Sequence, residues 1–512
     1  MELYENSLIL YLIARIWNWI CNEFKGGPFH RFIMRIVSVF KRGFLMKALT
    51  GGGFLQKAWE TSRFRHIIEM CLNIVPVLLR KLYLKIKPTA DRSIFVTCLE
   101  AFGRYTVPVF CVMVFSLLII PQTRWNNMYS LLFAAAALIF FWLSGIKDPE
   151  KRLSLDSIGA FPCIYALTVF LCLLWSDAFS LSLRFFFFGV TCMICVVVFV
   201  NAFNSEKKIL WFTVFLAGGL FISSAYAILQ RYMGVEADEV LTDLTLNTNM
   251  PGRVYSFFEN PNSYANILVY FSPLMLCMFF FAPRRWQRLG FLAVFILCVG
   301  ALLMTYARGG WLAFAFSMFI LMCLLCPRWI PLAIVVGVCC IPLLPDSILN
   351  RILTIFNMSD SSTYTRTYIY AAMLRIIKLK PVFGVGLGAD TVKHSIEIAG
   401  VYTAEAAFIH GHNIYFQIWA ESGVFGLASF VLSLFFAMRR GGRHLKRKGT
   451  TPLLKGVIAG TVSGLAGSMF FGITDFPWSY PRVMVLFWLL FALLCAATAI
   501  CKENEKAGNI NG

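Results

Sequence analysis

Residues 408–427 read FIHGHNIYFQIWAESGVFGL, with two histidines and an asparagine at the edge of an apolar run and a carboxylate inside it. If a helix begins near Asn413, Gln417 and Glu421 fall at i+4 and i+8 on one polar stripe. Glu421 then sits about 12 Å below Asn413, at 1.5 Å per residue. An ionisable group at that depth in an apolar segment is normally paired or faces a cavity. His412, at the edge, has an imidazole whose unperturbed pKa of about 6.5 suits it to take a proton from an incoming hydroxyl. His410 stands two residues before it. The competing reading is a helix cap followed by a polar stripe that joins helices.

Three arginines stand in comparable places: Arg253 in RVYSFFENPNSYANIL, Arg308 in TYARGGWLAF and Arg366 in DSSTYTRTYIYAAML. Asn260-Pro261-Asn262 is a turn signal that caps the following helix. Taken singly, the arginines are an interfacial anchor, a snorkelling side chain and a solvated surface charge. Taken together beside a histidine, they suit a diphosphate, whose oxygens a guanidinium fork meets bidentately. With no acidic cluster to hold a metal, arginines are the alternative for stabilising a departing phosphate. The expectation is therefore a site with no metal and no cofactor, and roles that describe sugar transfer from a lipid diphosphate.

The elements that must position these residues are membrane helices. The chain has 512 residues, 59% hydrophobic and 14% charged, and its apolar residues come in blocks. A helix of about 20 apolar residues crosses the hydrocarbon core of a bilayer. Twelve candidates lie near 106–121, 128–145, 157–175, 185–203, 209–229, 263–283, 288–306, 310–327, 328–345, 413–438, 452–473 and 482–501. The expected fold is an all-α polytopic membrane protein with about twelve transmembrane helices and one large extracytoplasmic loop, 346–412. That loop separates helices 1–9, within 106–345, from helices 10–12, within 413–501. Sixteen cysteines are present, almost all in or beside apolar runs. Cys192/Cys195 and Cys323/Cys326 have CxxC spacing, but no histidine or further cysteine accompanies either pair, which favours packing over redox or metal chemistry.

The formal charge of +20 is unevenly spread. Arg439, Arg440, Arg443, Lys446, Arg447 and Lys448 crowd one connection, and Arg284, Arg285 and Arg288 another. Such clusters mark the cytoplasmic side. Residues 1–105, with sixteen Lys/Arg against seven Asp/Glu, agree with cytoplasmic termini. The loops 230–262, 307–309, 346–412 and 474–481 then face outward, in a multi-pass membrane protein. Residues 1–105 read as a basic amphipathic extension along the cytoplasmic interface, through NSLILYLIARIWNWIC and HIIEMCLNIVPVLLRKLYLKIKP. Glu2 and Glu5 argue against a signal peptide, and 502–512 is a polar cytoplasmic tail. For the basic loops, anionic lipid headgroups are a more economical partner than nucleic acid.

In this order, FFENPNSYANIL, ARGGWLAF, TYTRTYIYAAMLRIIKLKPVFGVGLG and HNIYFQIWAESGVFGL resemble motifs of the O-antigen ligase and polymerase superfamily of bacterial membrane proteins. The strongest piece is His-Asn followed by Glu-x-Gly-x-x-Gly (Glu421, Gly423, Gly426). The resemblance implies a membrane-embedded, metal-independent, inverting glycosyltransferase that takes a glycan from undecaprenyl diphosphate on the outer face of the cytoplasmic membrane. The acceptor would be lipid A core in ligases, another lipid-linked repeat unit in polymerases, and a protein hydroxyl in protein O-oligosaccharyltransferases. On this resemblance His412 matches the residue thought to activate the acceptor. Arg253, Arg308 and Arg366 match those around the donor diphosphate, and Asn413 and Glu421 would order the histidine-bearing helix. Ala307 departs from the frequent serine before the arginine, and Tyr370 from a frequent tryptophan.

Two other classes compete. A transporter or flippase for lipid-linked sugars would show two similar halves and broken helices at matching positions, and no such pairing is visible. A scaffold of an envelope complex would leave Glu421 and the arginine set unexplained. Ligase and polymerase are not separated by these residues.

Overall fold

The computed structural model describes Arg31, Arg35 and residues 58–234, 252–343, 345–353, 361–402, 408–447 and 449–510. Two compact units result, Met1–Arg65 and His66–Gly512. The segment NSLILYLIARIWNWIC lies outside the described residues. Among the described residues every regular element is helical, as the apolar blocks require: in lipid a helix satisfies its own backbone donors and acceptors.

Among the described residues, four helices lead in: α1 (Arg63–Leu72), α2 (Ile74–Lys85), α3 (Lys87–Ala90) and α4 (Ile94–Gly103). Asn73 docks this region on the chain beyond α6, accepting from Leu153 N at 2.8 Å and donating to Leu153 O at 2.9 Å. Each of the twelve apolar blocks then carries a helix. The first eight are α5 (Thr106–Ile119), α6 (Met128–Ser144), α7 (Ala160–Leu174), α8 (Phe179–Ala202), α9 (Glu206–Met233), α10 (Pro261–Phe281), α11 (Arg285–Met304) and α12 (Arg308–Leu325). After α13 (Ile330–Cys340) come three helices of the long connection, α14 (Asp346–Leu353), α15 (Ser361–Leu379) and α16 (Ala389–Ala399). The last three are α17 (Ile414–Leu445), α18 (Pro452–Phe471) and α19 (Pro481–Ile510).

Among the described residues eight helices are long and apolar enough to cross a membrane alone: α8 to α12 and α17 to α19. The other four blocks depart from a simple span. α5 reaches that length only with α4, across a 48° bend, and α6 and α7 are short. α13 has eleven residues, about 16 Å, roughly half the hydrocarbon thickness of about 30 Å. Proline explains this: Pro342 and Pro345 follow at once, and neither can donate to a continuing helix.

The core is built on α10, α18 and α19. α18 lies so close to α10 that a Cβ on Gly464 would sit 2.0 Å from Tyr270 O. α19 is buried along nearly its whole apolar length. The CxxC residues Cys192 and Cys195 are buried free thiols in α8, and Cys323 and Cys326 are exposed free thiols at the end of α12.

The bundle has two dissimilar ends. At one, α17 and α19 meet the 146–158 connection: Arg440 donates to Ser157 O, Lys502 pairs with Asp156 at 3.4 Å, and His444 Nδ1 lies 3.0 Å from Glu505. At the other, the starts of α8, α10, α12, α17 and α19 and the end of α18 surround a large cavity.

Candidate active site

Asn413 starts α17 by accepting from Tyr415 N at 2.9 Å and Phe416 N at 3.0 Å, a side-chain cap of the kind that satisfies orphan helix donors. Its amide also donates to Ile473 O at 2.9 Å, tying the helix start to the 472–481 connection. One turn on, the fully buried Gln417 accepts from Gly411 N at 2.9 Å and donates to Glu421 at 2.8 Å. The polar stripe therefore does not stop at the helix: through Gln417 it grips the backbone between the two histidines.

Glu421 lies just before a break in α17. Gly423 has φ 67°, and the turn after α15 crosses here, with Val385 N donating to Ala420 O at 2.8 Å and Gly386 N to Glu421 O at 3.2 Å. A Cβ on Gly423 would lie 1.8 Å from Val382 O, and one on Gly384 would lie 2.4 Å from Glu421 O. The motifs PVFGVGLG and ESGVFGL are thus two halves of one joint that only glycine permits.

His412 itself adopts φ 42°, an uncommon conformation for a non-glycine residue and one that clusters at functional sites. Two bonds hold it: its N–H donates to His410 Nδ1 at 3.2 Å, and Tyr370 OH donates to its carbonyl at 3.0 Å. The two imidazoles are 4.1 Å apart between centroids. His412 Nδ1 is buried and lies 3.3 Å from Asp475 Oδ1, within ion-pair reach though short of an aligned hydrogen bond. Nε2 is then the ring nitrogen left for chemistry. Burial, then the charge of His412, pushes His410 down to about 4, so this imidazole is neutral near pH 7. Burial opposes ionisation of Asp475, but the contact with His412 and the fields of His412, His410 and Arg366 outweigh it and hold the carboxyl well below the usual range.

Arg253 is buried, its Nε donating to Thr305 O at 2.9 Å and its Nη2 to Asn262 Oδ1 at 2.7 Å. Asn260 caps α10 by accepting from Asn262 N at 2.9 Å and Ser263 N at 3.2 Å, which fixes the residue that orients Arg253. Arg308 is the first residue of α12, and Ala307 before it gives no side-chain cap. Arg351, on α14, donates to Tyr306 O at 3.3 Å. Burial, then the like charge of Arg351, lowers Arg253 to about 9, which leaves it a cation at neutral pH.

All four residues singled out for chemistry, Arg253, Arg308, Arg366 and His412, line the one cavity of about 1070 Å³. Asn260, Asn262 and His410 line it as well. Asn413, Gln417 and Glu421 do not; they stand behind its wall. Three lining residues were missed from sequence: Asp475, Arg351 and Arg184. Only Arg184, at the edge of an apolar block, carried the signal that picked out Arg308. Five arginines against Glu259, Asp390 and Asp475 leave the lining positive, as an anion requires.

His410, His412 and Asp475 bring ligand atoms within 4.8 Å of one another, a set able to hold a metal ion. His410 Nδ1 accepts a backbone N–H, which leaves Nε2 as that ring's ligand atom, and the charge of Arg366 acts on both His410 and Asp475 against a dication.

The O-antigen ligase family model matches residues 293–431. The matched stretch contains Arg308, Arg366, His412 and the whole stripe to Glu421, and stops short of Arg253 and Asp475. No curated protein matches the chain significantly.

Proposed function

From the O-antigen ligase-like superfamily assignment, and the role in cell-surface polysaccharide assembly that it supports, we propose that this membrane protein transfers a glycan from undecaprenyl diphosphate to an acceptor hydroxyl. In this reading His412 Nε2 takes the proton of the acceptor hydroxyl while Asp475 orients Nδ1. The acceptor oxygen attacks the anomeric carbon from the face opposite the diphosphate. The bond from that carbon to the diphosphate oxygen breaks, and its electron pair leaves with undecaprenyl diphosphate. One displacement of this kind inverts the anomeric centre. Arg253, Arg308, Arg351 and Arg366 hold the diphosphate and stabilise the charge that develops on it. The uncapped start of α12, with Arg308 and Gly309 on the lining, adds a favourable dipole for the same anion.

The observation that carries this reading is the convergence on one cavity of a histidine backed by a carboxylate and of guanidinium groups from five separate segments. Ligase, polymerase and protein O-oligosaccharyltransferase share this donor chemistry and differ in the acceptor. A transporter of lipid-linked sugars gains no support, because the polar groups gather at one end of the bundle rather than at its midplane.

The test is transfer by purified protein, with lipid-linked glycan extracted from host membranes as donor and the host's own acceptor fraction. His412→Ala is expected to lose about 10² to 10⁴ in rate, the range of general acid–base help, while still binding donor. EDTA is expected to leave the wild-type rate unchanged. Near-normal turnover by His412→Ala would remove the base from this account.

A further inference from the structure

Not all of the cavity is arginine. One corner, formed by Gln122, Asn127, Glu259 and Tyr480, presents two amides, a carboxylate and a phenol. A diphosphate is repelled by Glu259, and a prenyl chain gains nothing from amides. The side-chain oxygens of Gln122 and Asn127 are buried without a hydrogen-bond partner. Leaving such an atom unmet costs about 1–3 kcal/mol, so each amide gains a bond and breaks none by turning its oxygen toward a donor in the cavity.

The corner is also built rigidly, by a residue with no other use. Arg482 is 1% exposed and does not line the cavity. It donates from Nη1 to Ile120 O at 2.6 Å and from Nη2 to Phe257 O at 2.7 Å. The guanidinium lies 4.0 Å from the centroid of Phe258 and 5.7 Å from that of Trp125. Gln122 N donates to the same Phe257 carbonyl at 2.9 Å. A whole buried charge therefore ties the connection after α5, which carries Gln122 and Asn127, to the segment before α10, which carries Glu259. Both Nη atoms are thus held by the backbone of the two segments that form the corner, while Nε is buried without a hydrogen-bond partner.

We propose that this corner is a saccharide subsite, in which Gln122, Asn127 and Glu259 bind the hydroxyl groups of one sugar ring and Arg482 acts as its positioning residue. The proposal rests on the glycan-transfer reading above. Amide and carboxylate groups pair with adjacent hydroxyls as planar acceptors and donors, and a site built to hydrogen-bond a hydroxyl discriminates strongly against ligands that lack it. The ring bonded to the diphosphate and the ring of the acceptor have the same hydroxyl chemistry, and the experiment separates them.

Binding to the purified full chain is compared for glycan-free undecaprenyl diphosphate and for the host's lipid-linked glycan. If the ring is the donor's, Gln122→Ala and Glu259→Gln weaken the glycan-bearing lipid about tenfold, the scale of one lost hydrogen bond, and leave the glycan-free lipid unchanged. If it is the acceptor's, both lipids bind as before and the KM for the acceptor fraction rises about tenfold. Equal weakening of both lipids, or no change in either binding or KM, overturns the subsite. Arg351→Lys is the separate check on the parent reading and should weaken both lipids alike. If it weakens neither, the diphosphate assignment fails whatever the corner does. Because Arg482→Met risks misfolding, the two cavity-facing variants carry the test.

Discussion

At the scale of single residues, the proposed chemistry rests on the pair His412–Asp475. In the proposed reaction His412 acts through Nε2, and Asp475, 3.3 Å from Nδ1, would favour the tautomer that leaves Nε2 free. Asp475→Asn keeps the shape but offers the ring an amide in place of a charge. The expected outcome is a fall in kcat of about 10² with donor binding unchanged, since an interaction made for the proton transfer is lost and none for binding. Rapid-mixing single-turnover kinetics read both quantities, and an unchanged kcat would leave Asp475 a structural neighbour. His412 could be picked out from sequence because it sits at the edge of an apolar block with polar residues at helical spacing behind it. Asp475 could not. Its loop, GITDFPWSY, follows a further long helix, and nothing in local spacing says that α18 returns the chain beside the start of α17.

At the scale of elements, the break in α17 is what places the histidine-bearing segment. A straight helix through Gly423 would run into the turn after α15, whose Val385 and Gly386 amides bond the carbonyls of Ala420 and Glu421. Both glycine motifs were visible in sequence, one as a flexible turn and one as part of Glu-x-Gly-x-x-Gly. That they are one joint was not, because each explains itself locally and only tertiary contact shows that the same backbone crossing requires both. Gly423→Ala must accommodate both φ 67° and a carbonyl oxygen 1.8 Å from the new Cβ. A loss of about 3 kcal/mol or more is expected, at the large end for a point change. Thermal unfolding in detergent should show a clearly lower midpoint. Gly290→Ala, where a Cβ meets nothing within 4 Å, should leave it unmoved. Equal midpoints for the two variants would mean that α17 can straighten. α13 teaches a related lesson: hydropathy alone finds an apolar block there, whereas the prolines at 342 and 345 decide how much of it is helix.

At the scale of the whole molecule, what matters is that the two ends of the bundle differ. Much of the cavity lining lies in 253–262, 306–309, 351–412 and 474–481, connections that the charge asymmetry predicts to face outward. The basic residues Arg440, Lys446 and Arg447 gather at the other end, where Arg447 pairs with Glu505. Lysine and arginine are retained on the cytoplasmic side of a membrane, so the cavity should open outward, where lipid-linked glycans are assembled into surface polymers. Single cysteines introduced at Glu397, on α16, and at Lys446 test this, scored against the labelling of the parent protein because exposed native Cys71, Cys98, Cys323, Cys326 and Cys339 are present. With an impermeant thiol reagent on intact cells, Glu397→Cys should label and Lys446→Cys should label only after permeabilisation. The reverse pattern would place the cavity in the cytoplasm. A transfer reaction on the outer face would then be impossible, and the arginines would have to serve a donor on the inner side.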